Sequence, residues 1–244
     1  MNNKIVVIIP AYNEEDSIAK VIRELPVNLI SEVIVVNNNS TDKTSENAKS
    51  AGATVLFQPL KGYGNACLMG IDYLKKMETK PAIVVFIDGD YSDYPEQLPT
   101  LIKPIIEEGY DMVIGSRDLG VREKGAMTPQ QIFGNWLATT LMRWLYKINY
   151  TDLGPFRAIK YDSLIKINMQ DRNYGWTVEM QLKAGKLKMK TCEVPVNYRN
   201  RIGVSKVSGT IKGTIMAGYK ILGTARSLST EKLEPVASIP TSLA

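Results

Sequence analysis

Histidine is absent from the 244 residues, and cysteine occurs only twice, at Cys67 and Cys192. Without imidazole, Ser-His-Asp and Cys-His nucleophilic catalysis, His-ligated zinc and histidine proton shuttles are all excluded, since each needs a group titrating near neutrality. Two cysteines without metal-ligand spacing exclude a disulfide scaffold and fit a reducing compartment. No apolar run reaches the roughly 20 residues of a bilayer crossing; charges such as Arg143 and Lys220 interrupt the stretches. The chain passes from Met1-Asn2-Asn3-Lys4 into a short apolar run ending at Pro10, without a signal-peptide pattern, so a cytoplasmic location is expected. Extremes of composition are missing too. The 44% apolar and 23% charged fractions exclude disorder and collagen-like repeats, and the length suits one α/β domain. A net charge of +5, from 30 Lys+Arg against 25 Asp+Glu, suits anionic partners but not a nucleic-acid tail. The chemistry must then run on carboxylates, phosphate-binding cations, a hard metal ion or the substrate itself.

What is present is an alternation of strand and helix signals. Residues 4–9 form a continuous β-branched run of the kind buried on both faces of a parallel sheet, stopped by Pro10. Asn13 is placed to cap a helix carrying Ile18, Val21, Ile22 and Leu25 on one face, ended by Pro26. Further strands are predicted at 32–36, 54–57, 82–87 and 111–115, with helices at 66–77 and 95–108 and a short one closed at Gly52. This β-α-β rhythm predicts a mainly parallel sheet with helices on both faces. In the second half, 132–148 reads as a helix carrying Trp136 and Trp144, whose rings suit core packing. A loop through Asp152-Leu153-Gly154-Pro155-Phe156-Arg157, a helix at 176–184 and a strand at 187–198 follow. Past a basic segment, Ile211, Ile215, Tyr219 and Leu222 share a helical face flanked by lysines, and the chain from Ser227 onward lacks periodicity.

The strongest chemical signal is Phe86-Ile87-Asp88-Gly89-Asp90. Carboxylates two apart in an extended backbone point the same way, so both can face one hard cation, and Gly89 admits a ligand close by. The bland alternative is an acidic turn after a strand. Asp-x-Asp belongs to an ordered series, with Pro10-Ala11-Tyr12-Asn13-Glu14-Glu15 after the first strand and Asn37-Asn38-Asn39-Ser40-Thr41-Asp42 after the second. Further on come Gly115-Ser116-Arg117, Gly154-Pro155-Phe156-Arg157 and the basic segment Arg199-Asn200-Arg201-Ile202-Gly203-Val204-Ser205-Lys206. The series resembles glycosyltransferase family 2, of the GT-A fold, nearest to its dolichol-phosphate mannose synthase and polyprenyl-phosphate branch.

The resemblance implies a Rossmann-like α/β fold with a mainly parallel sheet flanked by helices and a C-terminal acceptor-side extension. Residues 1–226 would form one catalytic domain, with a nucleotide-sugar half (1–117), an acceptor half (118–226) and an interfacial helix at 209–226, before a flexible tail (227–244). Pro10, Ala11, Tyr12 and Glu14 would line base and ribose. Asn38 stands where many members have a base-reading aspartate, leaving uracil and guanine both open. Lys61 and Gly89 would stand beside the sugar. Asp88 and Asp90 would hold Mg2+ or Mn2+, with Ser92 where relatives place a glutamine ligand. Arg117, Arg157, Arg199, Arg201, Ser205 and Lys206 would meet the phosphates of donor or acceptor, arginine through its planar fork; surface ion pairs are the alternative for Arg117 and Arg157. The glycine-rich 61–64 segment is read as a flexible loop.

The implied reaction is an inverting transfer of a sugar from a UDP- or GDP-sugar to a polyprenyl phosphate. A lipid phosphate is already largely dianionic at neutral pH and needs no base. A hydroxyl acceptor would need one, and with no histidine Glu179 is the first candidate, an exposed helical glutamate being the other reading of it. A nucleotide-sugar-binding protein without catalysis remains the third possibility. The 211–222 face either closes on the catalytic domain or lies against the inner face of the cell membrane as a peripheral contact.

Overall fold

The computed structural model describes residues 4–203, so Ser205, Lys206, the 209–226 helix and the 227–244 tail lie outside the described residues. The first strand, β1 (Ile5–Ala11), is buried at all seven positions. Alternate side chains explain this. Val6 and Ile8 belong to one core cluster, and Ile5, Val7 and Ile9 to the one on the other side of the sheet. A strand covered on both faces has no use for a polar alternation, which is why the run reads as uninterrupted β-branched residues.

β1 lies between β2 (Glu32–Asn37) and β4 (Ile83–Phe86), parallel to both, and β3 (Thr54–Phe57) adds to the outer edge of β2. The full seven-stranded order is β3-β2-β1-β4-β6-β5-β7, with β5 at Met112–Ser116, β6 at Arg157–Lys160 and β7 at Thr191–Pro195. One face is covered by α3 (Tyr63–Lys76), α5 (Pro129–Tyr146), α6 (Tyr161–Ile167) and α7 (Trp176–Lys186), which contribute Ala66, Leu74, Ala138, Leu164 and Trp176. The other is covered by α1 (Ile18–Glu24), α2 (Thr44–Ser50) and α4 (Leu98–Glu108), which contribute Ile18, Val21, Ala48, Leu98 and Leu101. The mainly parallel α/β sheet flanked by helices agrees with the sequence reading.

Several local expectations need correction. Pro10 does not stop the first strand, which continues to Ala11 in register with Asn37. Ile8 accepts from Ile87 on the β4 side and Ala11 from Asn38 on the β2 side, so alternation turns Pro10's nitrogen toward β4 beyond its last paired residue, Phe86, where no ladder donor is needed. Asn13 does not cap α1: Ser17 holds that position, and Asn13 adopts positive φ and accepts from Thr41 N. α3 begins at Tyr63 and absorbs part of the supposed flexible loop. A Cβ on Gly64 would meet Asp171 O at 2.0 Å and one on Gly62 would meet Arg172 O at 2.3 Å, so both glycines are pressed against another loop. The last strand is only 191–195, because α7 runs to Lys186 and Lys188 turns the chain through positive φ. Trp136 and Trp144 are not core residues; both are exposed.

β6 is the element that the sequence hides. It is four residues long, begins and ends on a cation, and runs antiparallel between β4 and β5, pairing Arg157 with Phe86 and with Ile114. Arg157 is wholly buried there. Its guanidinium donates to the carbonyls of Leu153 (3.0 Å), Gly154 (3.0 Å) and Thr177 (3.2 Å). The stretch read as a loop with a phosphate-binding arginine is therefore a strand with its preceding turn pinned by that arginine.

The Gly64 contact yields a stability test. Gly64→Ala should destabilise the protein by about 1–3 kcal/mol, since the added methyl meets backbone and not a side chain that can rotate away. Urea denaturation should show a lower midpoint at unchanged slope.

Candidate functional site

The carboxyl ends of β1, β2 and β4 open on one edge of the sheet, and between them lies a cleft of about 330 Å³. Pro10, Ala11, Tyr12 and Glu14 enter it from β1 and Asn38 from β2; Asp88, Gly89 and Asp90 come from β4. Lys61, Gly62, Tyr63 and Ala66 form the side nearest α3, and Tyr174 and Arg201 arrive from the second half of the chain. Parallel strands place all their exits on one edge, so motifs widely spaced in sequence meet here.

Hydrogen bonds lock the first two motifs together. Ser40 Oγ accepts from Asn13 N at 2.9 Å, Thr44 Oγ1 from Glu14 N at 2.8 Å and Asp42 Oδ2 from Glu15 N at 3.2 Å. Asn38 faces the third strand's exit. Its amide donates to Leu60 O at 2.7 Å, and its Oδ1 accepts from Gly62 N at 2.7 Å, fixing the loop that carries Lys61. Lys61 Nζ donates to the Tyr12 hydroxyl at 2.8 Å and lies 4.7 Å from the centre of that ring.

The acidic end of the cleft is crowded. Asp90 Oδ1 accepts from Ser92 N (3.0 Å) and Ser92 Oγ (2.5 Å), and its Oδ2 pairs with Arg201 Nη1 at 2.8 Å. Asp88 Oδ1 is buried with no hydrogen-bond partner. Burial and, after it, the Asp90 charge push the Asp88 carboxyl up to about 7, against the opposing Tyr63 hydroxyl. Asp93 was not foreseen. Both of its oxygens are buried without partners, and burial, then Asp88 and Asp90, raise it well above the usual carboxylate range.

Of the residues picked out by sequence, Pro10, Ala11, Tyr12, Glu14, Asn38, Lys61, Asp88, Gly89, Asp90 and Arg201 all line the cleft. Arg117, Arg157, Arg199 and Glu179 do not, and each has other partners. Arg117 makes a bidentate pair with buried Asp152, Nε to Oδ2 and Nη2 to Oδ1, both at 2.7 Å. Arg157 is pinned by carbonyls as described. Arg199 pairs with Glu24 at 2.7 Å and lies 3.4 Å from the Tyr91 ring centre and 4.3 Å from that of Tyr94, anchoring the segment that delivers Arg201. Glu179 is neither an exposed glutamate nor a group facing the cleft. Its oxygens take Lys183 Nζ at 2.7 Å, Gln170 N at 2.9 Å and Asp171 N at 2.7 Å, so it clamps the 168–175 loop. That loop supplies Tyr174, which sequence reasoning missed because nothing in Arg172-Asn173-Tyr174-Gly175 distinguishes it from an ordinary turn.

The donor set fits a hard divalent cation. Asp88 Oδ1 is a buried oxygen without a partner and Asp90 stands beside it. Among the described residues no three carboxylate or thiol side chains converge as a complete ligand set. Two carboxylates are enough for Mg2+, which keeps waters and takes substrate phosphates as its remaining ligands.

The Arg117–Asp152 pair permits a pH prediction. Burial raises Asp152, but Arg117 and the backbone N–H donors outweigh it and hold the carboxyl below the usual range. A depressed folded value contributes stability above the unfolded pKa of about 3.9, which is lost as pH falls through the folded value. Asp152→Asn should cost about 3–5 kcal/mol at pH 7 by stranding a buried guanidinium. The gap from the parent protein should close below pH 4 in urea titrations.

A model of the Glycosyl transferase family 2 matches residues 6–167. An uncharacterized glycosyltransferase of Mycobacterium tuberculosis is 31% identical over 221 residues, covering 87% of this chain and 94% of its own. The undecaprenyl-phosphate mannosyltransferase of Micrococcus luteus is 30% identical over 235 residues, covering 91% and 95%. Among solved structures, glucosyl-3-phosphoglycerate synthase from Mycobacterium tuberculosis, in complex with Mn2+, uridine-diphosphate and glucosyl-3-phosphoglycerate, superposes with a TM-score of 0.72 at 23% identity, covering 92% of this chain and 79% of that one.

Proposed function

Because the chain belongs to glycosyltransferase family 2, and is therefore a glycosyltransferase, we propose that its cleft takes a nucleotide-diphosphate sugar and passes the sugar, with inversion, to a polyprenyl phosphate. The carrying observation is the state of Glu179. The carboxylate that could have served as base for a hydroxyl acceptor is buried and holds Lys183 and two backbone N–H groups. A phosphate monoester needs no base, because its second ionisation near pH 6 leaves it a nucleophile at neutrality. The acceptor class named for the Micrococcus luteus relative supports the same reading.

On this reading Pro10, Ala11, Tyr12, Glu14 and Asn38 receive the nucleoside, and Lys61 stands where the sugar phosphates enter. Asp88 and Asp90 would hold Mg2+ or Mn2+, which supplies Lewis-acid neutralisation of the diphosphate when bound. Ser92 fixes Asp90 through Oδ1 so that Oδ2 faces the cleft. Arg201, seated on that oxygen, is the cation that can turn to a phosphate oxygen as the diphosphate arrives. Attack by the acceptor phosphate oxygen forms the new bond at the anomeric carbon as the bond to the nucleotide diphosphate breaks, and no proton need be taken from the acceptor. Residues 1–117 then act as the donor half of one catalytic domain and the chain from 118 as the acceptor half.

The direct experiment offers labelled UDP- and GDP-sugars with Mn2+ or Mg2+ and undecaprenyl phosphate, and follows label into the organic phase. Asp90→Asn should lower transfer by about 10²-fold or more. Label found only on a water-soluble hydroxyl compound would overturn the acceptor.

Cation binding should also displace a proton. Because burial and the Asp90 charge raise the Asp88 carboxyl, calorimetry of Mn2+ binding in buffers of differing ionisation enthalpy should detect more proton released at pH 6 than at pH 8, so affinity falls as pH falls. Equal release at both values would rule out Asp88 as the ligand that titrates.

A further inference from the structure

α5 is amphipathic in the wrong sense. Its inward positions, at i, i+3, i+4 and i+7, are Asn135, Ala138, Thr139 and Met142. Two of these four are polar, and they are satisfied locally: the Asn135 amide donates to Thr151 O, its Oδ1 accepts from Leu153 N, and Thr139 Oγ1 donates to Asn135 O. The outward side carries the large apolar groups. Phe133 is 56% exposed, Trp136 58%, Trp144 79% and Leu145 48%. Phe133 and Trp136 rest against each other with ring centres 5.7 Å apart, in the open. An amphipathic helix normally buries this side, and an apolar surface of this kind marks an interaction site.

The charge around the face selects the occupant. α5 contains no acidic residue, and its basic residue is Arg143. Across residues 118–150 there are four basic side chains, Arg122, Lys124, Arg143 and Lys147, and two acidic ones, Asp118, which pairs with Arg122 at 2.9 Å, and Glu123, which accepts from Asn200, so Lys124, Arg143 and Lys147 leave the surroundings net positive. A second copy docking by two-fold symmetry would set this positive surroundings against itself. An anionic lipid surface answers the charge, accepts the apolar rings without demanding hydrogen bonds, and suits tryptophan, whose ring sits well at a headgroup boundary. We propose that the Phe133-Trp136-Trp144-Leu145 face of α5 is a membrane-docking surface that lays the helix flat on anionic lipid.

The helix lies along the bilayer and does not cross it: among the described residues no helix is long and apolar enough to span. Docking of this kind is independent of which acceptor the cleft uses, because it needs only phospholipid. It also differs in place from the 209–226 segment that the sequence suggested for membrane contact.

The test uses the full chain and vesicles of an equal mixture of phosphatidylcholine and phosphatidylglycerol, with no polyprenyl phosphate present. The protein should float with these vesicles and not with pure phosphatidylcholine at physiological salt. Tryptophan emission should shift to the blue, since Trp176 is already buried and the response must come from Trp136 and Trp144. The double variant Trp136→Glu and Trp144→Glu should lose at least about tenfold in vesicle affinity, with unchanged circular dichroism and nucleotide binding as evidence of an intact fold. Arg143→Ala with Lys147→Ala should weaken binding to anionic vesicles by about tenfold and flatten its salt dependence. Undiminished flotation of the tryptophan variant would overturn the proposal. So would a parent protein that ignores vesicles and sediments as a dimer that the same variant converts to monomer.

Discussion

Asp88, Asp90 and Asp93 stand within six residues at the end of one buried strand, and mutual repulsion at low exposure is the constraint that organises the rest of the cleft. Arg201 and Ser92 settle Asp90 alone. Among the described residues the other nearby arginines are committed elsewhere: Arg117 to Asp152, Arg199 to Glu24, Arg157 to carbonyl oxygens. An acidic pole with partnerless oxygens is thus preserved in a fold that has enough arginines to neutralise it. The same commitments give the walls their rigidity, because each arginine ties two distant pieces of chain.

The part of the cleft at the ends of β1, β2 and β4 was legible in the sequence because the parallel sheet makes it so. A strand buried on both faces is a plain apolar run, and the polar residues that follow it are at the sheet edge; Asp88 and Asp90 were found by that logic, while Pro10 and Asn38 were picked out by the resemblance to the family. The arginines were legible as residue types and not as contacts. Nothing near Arg117 in sequence announces Asp152, and nothing near Arg199 announces Glu24, since the pairing is made by the fold. β6 escaped because four residues bracketed by charges carry no strand signature, and Arg157 is buried only through carbonyls supplied by turns beside it.

α5 shows a different limit. Its periodicity identified a helix correctly, and the capping box of Thr128 and Gln131 with Pro129 in the first turn explains where it begins. Hydrophobicity then pointed to the wrong side as the buried one. Small and polar residues can face a core when neighbouring backbone satisfies them, as Thr151 and Leu153 satisfy Asn135, and composition alone cannot distinguish a core face from one meant for another apolar surface.

Glu179 clamps the 168–175 loop from outside the cleft, and Asp171 holds the same loop through Asn173 N and Gly175 N. Tyr174 therefore reaches the cleft from a frame fastened by Glu179 and Asp171, which do not line it, and backed by Gly62, which does. Position 174 is mechanically separable: its side chain can vary in size and polarity while the loop keeps its course. A chain built this way can change the shape of that part of the cleft one residue at a time.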